Sequence, residues 1–154
     1  MNKYMFDTNI FNRILDGKID TNLLKDRNKY LVTHIQMDEI SNTRDEKRRQ
    51  ELMDVFRAVN QEKVLTESGV YGISKYGGGK YGGGEIFHRI RDELNKKEPK
   101  NQISNTGDAL IAEVCIKNNY NLVTDDYNLY EVVKQAYGKV IKLDEFMREV
   151  GKEK

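Results

Sequence analysis

Short apolar runs that stop abruptly at an acid, each followed by an amphipathic helix, constrain this chain's fold more than any other feature. "KYMF" at residues 3–6 ends at Asp7, and "DTNIFNRILDG" then sets Ile10, Phe11, Ile14 and Leu15 at helical spacing before Gly17. "KYLVTHI" (29–35) predicts a second strand. Residues 37–60 predict one long or broken helix with Leu52, Val55, Phe56 and Val59 as its inner stripe, and "EKVLTES" (62–68) predicts a short strand. Helices are expected over 85–97 and 106–119, with Pro99 as a break between them. "YNLVTDD" (120–126) reads as a strand ending in acids, 127–138 as a helix, "KVIKL" (139–143) as a strand, and 144–150 as a last helix capped by Asp144. Strands alternating with helices predict an α/β chain: a central parallel sheet covered on both faces, in three layers. In such sheets ligands bind outside the carboxyl ends of the strands, where the acids after 3–6 and 121–124 fall.

The length of 154 residues suits one domain spanning 1–154. A net charge of +1 gives no global attraction to nucleic acid or to an acidic partner. Cys115 is the sole cysteine, which excludes an intrachain disulfide and a cysteine-rich metal site; on the apolar face of its helix it reads as core. No run approaches the roughly 18 apolar residues of a membrane span, and "MNKYMFDTNI" lacks a secretory apolar stretch. A soluble, cytoplasmic chain is expected.

A glycine-rich loop is expected at 69–84, where "KYGGG" occurs twice in succession. It does not read as a phosphate cradle. Lys80 follows Gly79, but Tyr81 stands where a P-loop needs Ser or Thr, and the tract does not follow the first strand as a dinucleotide loop must. It interrupts the alternating pattern inside one domain, which argues against a linker. Two readings remain: Lys75, Tyr76, Lys80 and Tyr81 contact phosphates and bases of a substrate, or the tract is a plain surface loop.

Asp7, Glu39, Asp108 and the Asp125–Asp126 pair form the chemical signal. Each alone has a local explanation: Asp7 and Asp108 as helix caps, Glu39 on a solvated helix face, Asp125 or Asp126 at the start of the next helix. Converging at one sheet edge, they would repel one another unless a hard cation sat among them. Magnesium or manganese, with its preference for oxygen ligands, is the natural occupant.

In "MFDTNIF", "HIQMDEI" and "GDALIAEVCIKNNYNLVTDDYNL", and in their order and spacing over residues 3 to 143, the chain resembles the PIN-domain nucleases, especially the small VapC-like toxin ribonucleases. The resemblance implies a three-layer α/β/α PIN-like fold. It implies an endoribonuclease dependent on Mg2+ or Mn2+, with Asp7, Glu39, Asp108 and Asp126 as catalytic metal ligands and Asp125 beside them. Thr8 and Asn9 would hold the turn at Asp7, and Thr124 would turn its hydroxyl into the site. The register between Asp125 and Asp126 stays open; Asp126 is favoured because successive residues at a strand end point opposite ways. Hydrolysis would leave a 3′ hydroxyl and a 5′ phosphate on RNA. The resemblance further implies a homodimer and an antitoxin protein whose tail enters the acidic groove. The glycine tract departs from the minimal toxin fold and falls in the family's variable region.

The other reading is a non-catalytic RNA-binding PIN-like module, which would require site acids lost or unable to converge. A phosphatase or receiver reading fails because Asn9 stands where a second aspartate is needed and no acidic pair follows the first strand. Arg44, Lys47, Arg48, Arg49, Arg89 and Arg91 read either as contacts to the RNA backbone or as solvated helix faces. His34 is expected at the end of the second strand and His88 on a helix surface.

Overall fold

The computed structural model describes residues 2–24, 28–59, 61–66 and 84–152. The glycine tract, with Lys75, Tyr76, Lys80 and Tyr81, lies outside the described residues up to Gly84. Five strands, β1 (Lys3–Phe6), β2 (Lys29–Val32), β3 (Gln61–Lys63), β4 (Asn121–Val123) and β5 (Val140–Ile141), form one sheet in the order β3-β2-β1-β4-β5, and every pairing is parallel. Seven helices flank it among the described residues: α1 (Thr8–Asp16), α2 (His34–Ser41), α3 (Glu46–Ala58), α4 (Glu85–Lys97), α5 (Gln102–Asn118), α6 (Tyr127–Gln135) and α7 (Leu143–Lys152). The parallel α/β/α sandwich expected from the sequence is what the chain forms. None of these helices is long and apolar enough to cross a membrane.

The two faces of the sheet follow from strand alternation. Met5 stands in register with Leu31 and Leu122, and these three point into one core with Phe87, Ile90 and Leu94 of α4, the apolar residues of α5, and Leu129, Val132 and Val133 of α6. Tyr4, Phe6, Tyr30, Val32 and Val123 point the other way, against α1, α3 and α7. On that side Phe6 meets Phe11 and Phe146 edge-on, at 5.8 and 5.2 Å between ring centres, and Tyr4 meets Phe146 at 4.8 Å. Such pairs add about 0.5–1.5 kcal/mol each beyond their buried area. They clamp α1 and α7 to β1 and so hold the strand end at Asp7. In the opposite core Cys115 lies 3.7 Å from the Met5 sulfur, and burial pushes its thiol far above the usual range, so it packs as an apolar group.

The element boundaries differ from the sequence expectation where local hydrogen bonding intervenes. β2 ends at Val32, and His34 opens α2 instead of closing the strand. The cause is a capping box: the Thr33 side chain accepts from the Ile35 N–H, and Gln36 reaches back to the Thr33 N–H. The expected 37–60 helix is broken. Asp45 caps α3 through the Lys47 N–H at 3.1 Å, and Arg49 donates to the Thr43 carbonyl across the break. α5 starts at Gln102, so Asp108 lies inside the helix and does not cap it. α7 starts at Leu143, not at a cap by Asp144; its first N–H is taken by the Asp125 carboxylate at 3.0 Å.

Two glycines matter to the architecture. Gly84 precedes α4 in the left-handed conformation, φ 74°, and has no side chain to cap the helix. Glu113, fully buried on α5, accepts the Phe87 N–H at 3.3 Å instead. Gly107 lies on α5 where a Cβ would come 3.3 Å from the Ile35 side chain and 3.9 Å from a Glu39 carboxylate oxygen. Its lack of a side chain lets α5 approach α2 and brings Asp108 towards Glu39.

Candidate active site

The chain runs from β1 outward through β2 and β3, then returns to β4 on the other side of β1. A crevice opens at such a reversal, outside the carboxyl ends of the strands. The Asp7 N–H bonds the Val123 carbonyl at 3.0 Å, and the Thr124 N–H bonds the Ile141 carbonyl at 3.0 Å, which ties the ends of β1, β4 and β5 together.

Asp7 sits at the N-cap of α1 but makes no cap to the second or third helical N–H. Its Oδ2 instead accepts the Thr124 hydroxyl at 2.9 Å, and the carboxylate is buried. Burial raises its pKa from 3.8 to about 6; the Thr124 hydroxyl and the Thr8 N–H pull it down, while Asp126 and then Asp125 push it up. Glu39, on α2, accepts the Thr8 hydroxyl at 3.0 Å. Desolvation raises its pKa to about 7; the Thr8 hydroxyl opposes that, and Asp7 and Asp38 add to it. Glu39 as a residue remains exposed, so water screens part of this push. Asp108 is only partly covered, yet burial, then Asp7, Glu39, Asp126 and Glu98, hold its carboxyl well above the usual range.

Four separate elements thus bring Asp7, Glu39, Asp108 and Asp126 within electrostatic reach of one another. Beside Glu39 a groove of about 930 Å³ opens between α2 and the turn into α5, lined among others by Asp38, Asn42, Lys100, Asn101 and Ile103. That volume lies within the range of small-ligand sites.

The fold is similar to that of a chain in the crystal structure of VapBC2 from Rickettsia felis bound to a DNA fragment from their promoter. The TM-score is 0.57 and the identity 20%, over 91% of this chain and 98% of the other. This is a PIN-like fold. No protein-family model and no curated relative matches the chain.

Asp125 and Asp126 make different contacts. Asp125 Oδ1 accepts the Leu143 N–H, and its other oxygen lies 3.8 Å from Arg13. Asp126 caps α6 through the Leu129 N–H at 3.1 Å and bears on both Asp7 and Asp108. Asn9 is exposed; the hydrogen bonds at the turn belong to Thr8 and Thr124, whose hydroxyl also accepts the Asp126 N–H. Gln36 escaped the sequence reading as a supporting residue. Fully buried, it donates to the Phe6 carbonyl at 3.1 Å and so pins α2 to the strand end that carries Asp7. The T-x-x-Q pattern at 33–36 was the signal.

The basic residues divide. Arg48 grips Asp16 with two bonds of 2.9 and 3.0 Å and reaches Asn12, joining α3 to α1. Arg91 lies over the Phe87 ring and beside Asp92. Arg44, Lys47 and Arg89 stay exposed.

All four site acids offer hard oxygen donors, and their mutual repulsion is the kind a divalent cation relieves, so the donor chemistry fits magnesium or manganese. Among the described residues, no three acid, imidazole or thiol side chains are already drawn up around a common point.

Thr124→Val removes the hydroxyl that stabilises ionised Asp7. A hydrogen bond to a charged group contributes about 1.5–3 kcal/mol. The Asp7 carboxyl is expected to titrate above its present value of about 6, read as the carbon chemical shift of that carboxyl against pH. An unmoved midpoint would mean that Thr124 does not tune Asp7.

Proposed function

We propose that this chain is a Mg2+- or Mn2+-dependent endoribonuclease, the toxin of a toxin–antitoxin pair acting in the cytoplasm. The observation that carries the reading is the convergence of Asp7, Glu39, Asp108 and Asp126 at the crevice beside β1: Asp126 pushes up the pKa of Asp7, Asp7 that of Glu39, and Asp7, Glu39 and Asp126 that of Asp108. A structural stabiliser has no use for such repulsion; a cation site does. The neighbour's description as VapBC2 on promoter DNA supports an antitoxin partner. A homodimer follows from the family resemblance.

A bound divalent cation supplies charge neutralisation at a phosphodiester and activation of water. Asp7, Glu39, Asp108 and Asp126 would hold it. Thr124 keeps Asp7 turned into the crevice, Thr8 steadies Glu39, and Gln36 fixes the α2 backbone relative to β1. The groove beside Glu39 gives the substrate room on the α5 side.

The non-catalytic RNA-binding reading draws on one observation, the absence of a preassembled cage among the described residues. A pool of structured RNAs incubated with the protein in manganese, or in EDTA, separates the two. Cutting in manganese alone, with 5′ phosphate and 3′ hydroxyl ends, is expected. RNA binding without cutting in either condition would favour the binding module.

A further inference from the structure

Two lysines, Lys134 of α6 and Lys142 just after β5, crowd one tyrosine of α6. The Lys134 ammonium lies 5.4 Å from the centre of the Tyr130 ring and the Lys142 ammonium 5.3 Å from it. Both lysines are exposed, and among the described residues neither forms an ion pair. Two like charges on one ring repel, and cation–π attraction offsets that only in part. The result is a focused positive spot suited to a phosphate.

The spot is joined to the acidic crevice. Tyr127, Tyr130 and Lys134 are three and then four residues apart, so they lie along one face of α6. The first of them, Tyr127, directly follows Asp126 and is 62% exposed. A large exposed ring next to a site acid, followed by two cations, matches the way unpaired nucleotides are held: one ring for a base, ammoniums for the backbone.

We infer that Tyr127, with Lys134 and Lys142 clustered on Tyr130, forms a binding track for single-stranded RNA leading away from the acidic crevice. The inference deepens the nuclease reading and rests on it for the identity of the ligand. Tyr127 stacks on an unpaired base. Tyr130 has its ring engaged by the lysines and holds them together. The two lysines neutralise phosphates of the flanking nucleotides. Duplex RNA offers Tyr127 no free base face and is held by the lysines alone.

The test is binding of a fluorescent 20-nucleotide unstructured RNA by the full chain in EDTA, across a salt series. Lys134→Ala/Lys142→Ala is expected to weaken binding at least about tenfold and to flatten the slope of log affinity against log salt by about 1.4, since each single-strand phosphate contact contributes about 0.7. Lys134→Arg/Lys142→Arg should restore both. Tyr127→Ala should weaken binding at least about fivefold with the salt slope unchanged, and should not affect a duplex. Variants that bind within twofold of the wild type, with unaltered slopes, overturn the track, as does a wild type that does not bind the RNA. Cleavage in manganese is scored separately. Cutting by the wild type together with unaffected binding by the variants would remove the track and leave the nuclease. Weakened binding with no cutting would remove the nuclease and leave an RNA-binding track.

Discussion

Asp7→Asn is expected to lower metal-dependent RNA cleavage by on the order of a thousandfold, about 4 kcal/mol of transition-state stabilisation. The side chain is nearly isosteric and keeps an oxygen for the Thr124 hydroxyl, which Asp7 now accepts at 2.9 Å. What it loses is the charge. Asp7 is the buried member of the acid group and bears on Glu39 and Asp108, so neutralising it weakens the attraction of the whole crevice for a cation. Manganese binding, measured by calorimetry, should weaken in parallel, while the melting temperature without metal should not fall. Retention of wild-type cleavage by Asp7→Asn would displace Asp7 from the reaction.

Stability without metal should fall as pH rises. A carboxyl whose pKa is higher in the folded than in the unfolded chain leaves stability intact below its unfolded pKa and removes it as pH climbs through the folded value. For Asp7 that window runs from 3.8 to about 6, and for Glu39 from 4.5 to about 7. At about 1.4 kcal/mol per pH unit, Asp7 alone accounts for about 3 kcal/mol, roughly half of it between pH 5 and pH 8. Glu39, discounted for its exposure, and Asp108 act in the same direction. The melting temperature in EDTA is therefore expected to drop by at least about 5 °C from pH 5 to pH 8. Manganese should restore it at pH 8 and change it little at pH 5, because binding displaces protons still held at the lower pH. Asp7→Asn should flatten the dependence. A melting temperature that is level over this range, or that rises, would refute the raised carboxyl pKa values that burial and then the neighbouring acids impose.

Much of the frame was legible because its signals are local. β1 and α1 follow from the switch between an apolar run and helical spacing at Asp7. The helix over 85–97 has the same bounds in the chain as its Ile86, Ile90 and Leu94 spacing suggests. The errors fall where a side chain from a distant segment or an unrecognised cap decides. α5 was expected over 106–119 but starts at Gln102, and Gly107 sits mid-helix, where α5 needs room against Ile35. Asp144 looked like the cap of α7, but Asp125, eighteen residues earlier, takes that N–H. Arg48, a candidate for RNA, is engaged by Asp16 and Asn12.

The sequence by itself determined the parallel α/β class and the placement of Asp7 and of Asp125–Asp126 just after strands, because strand and helix periodicity are properties of neighbouring residues. Only the tertiary structure decided the strand order, which puts β4 beside β1 and thus Thr124 against Asp7. It also set the Asp125 carboxylate on the first N–H of α7 and the Asp126 carboxylate on the Leu129 N–H of α6. Those outcomes depend on which segments meet across the sheet and on how far water is excluded between them, and burial and proximity are quantities no stretch of the chain carries alone.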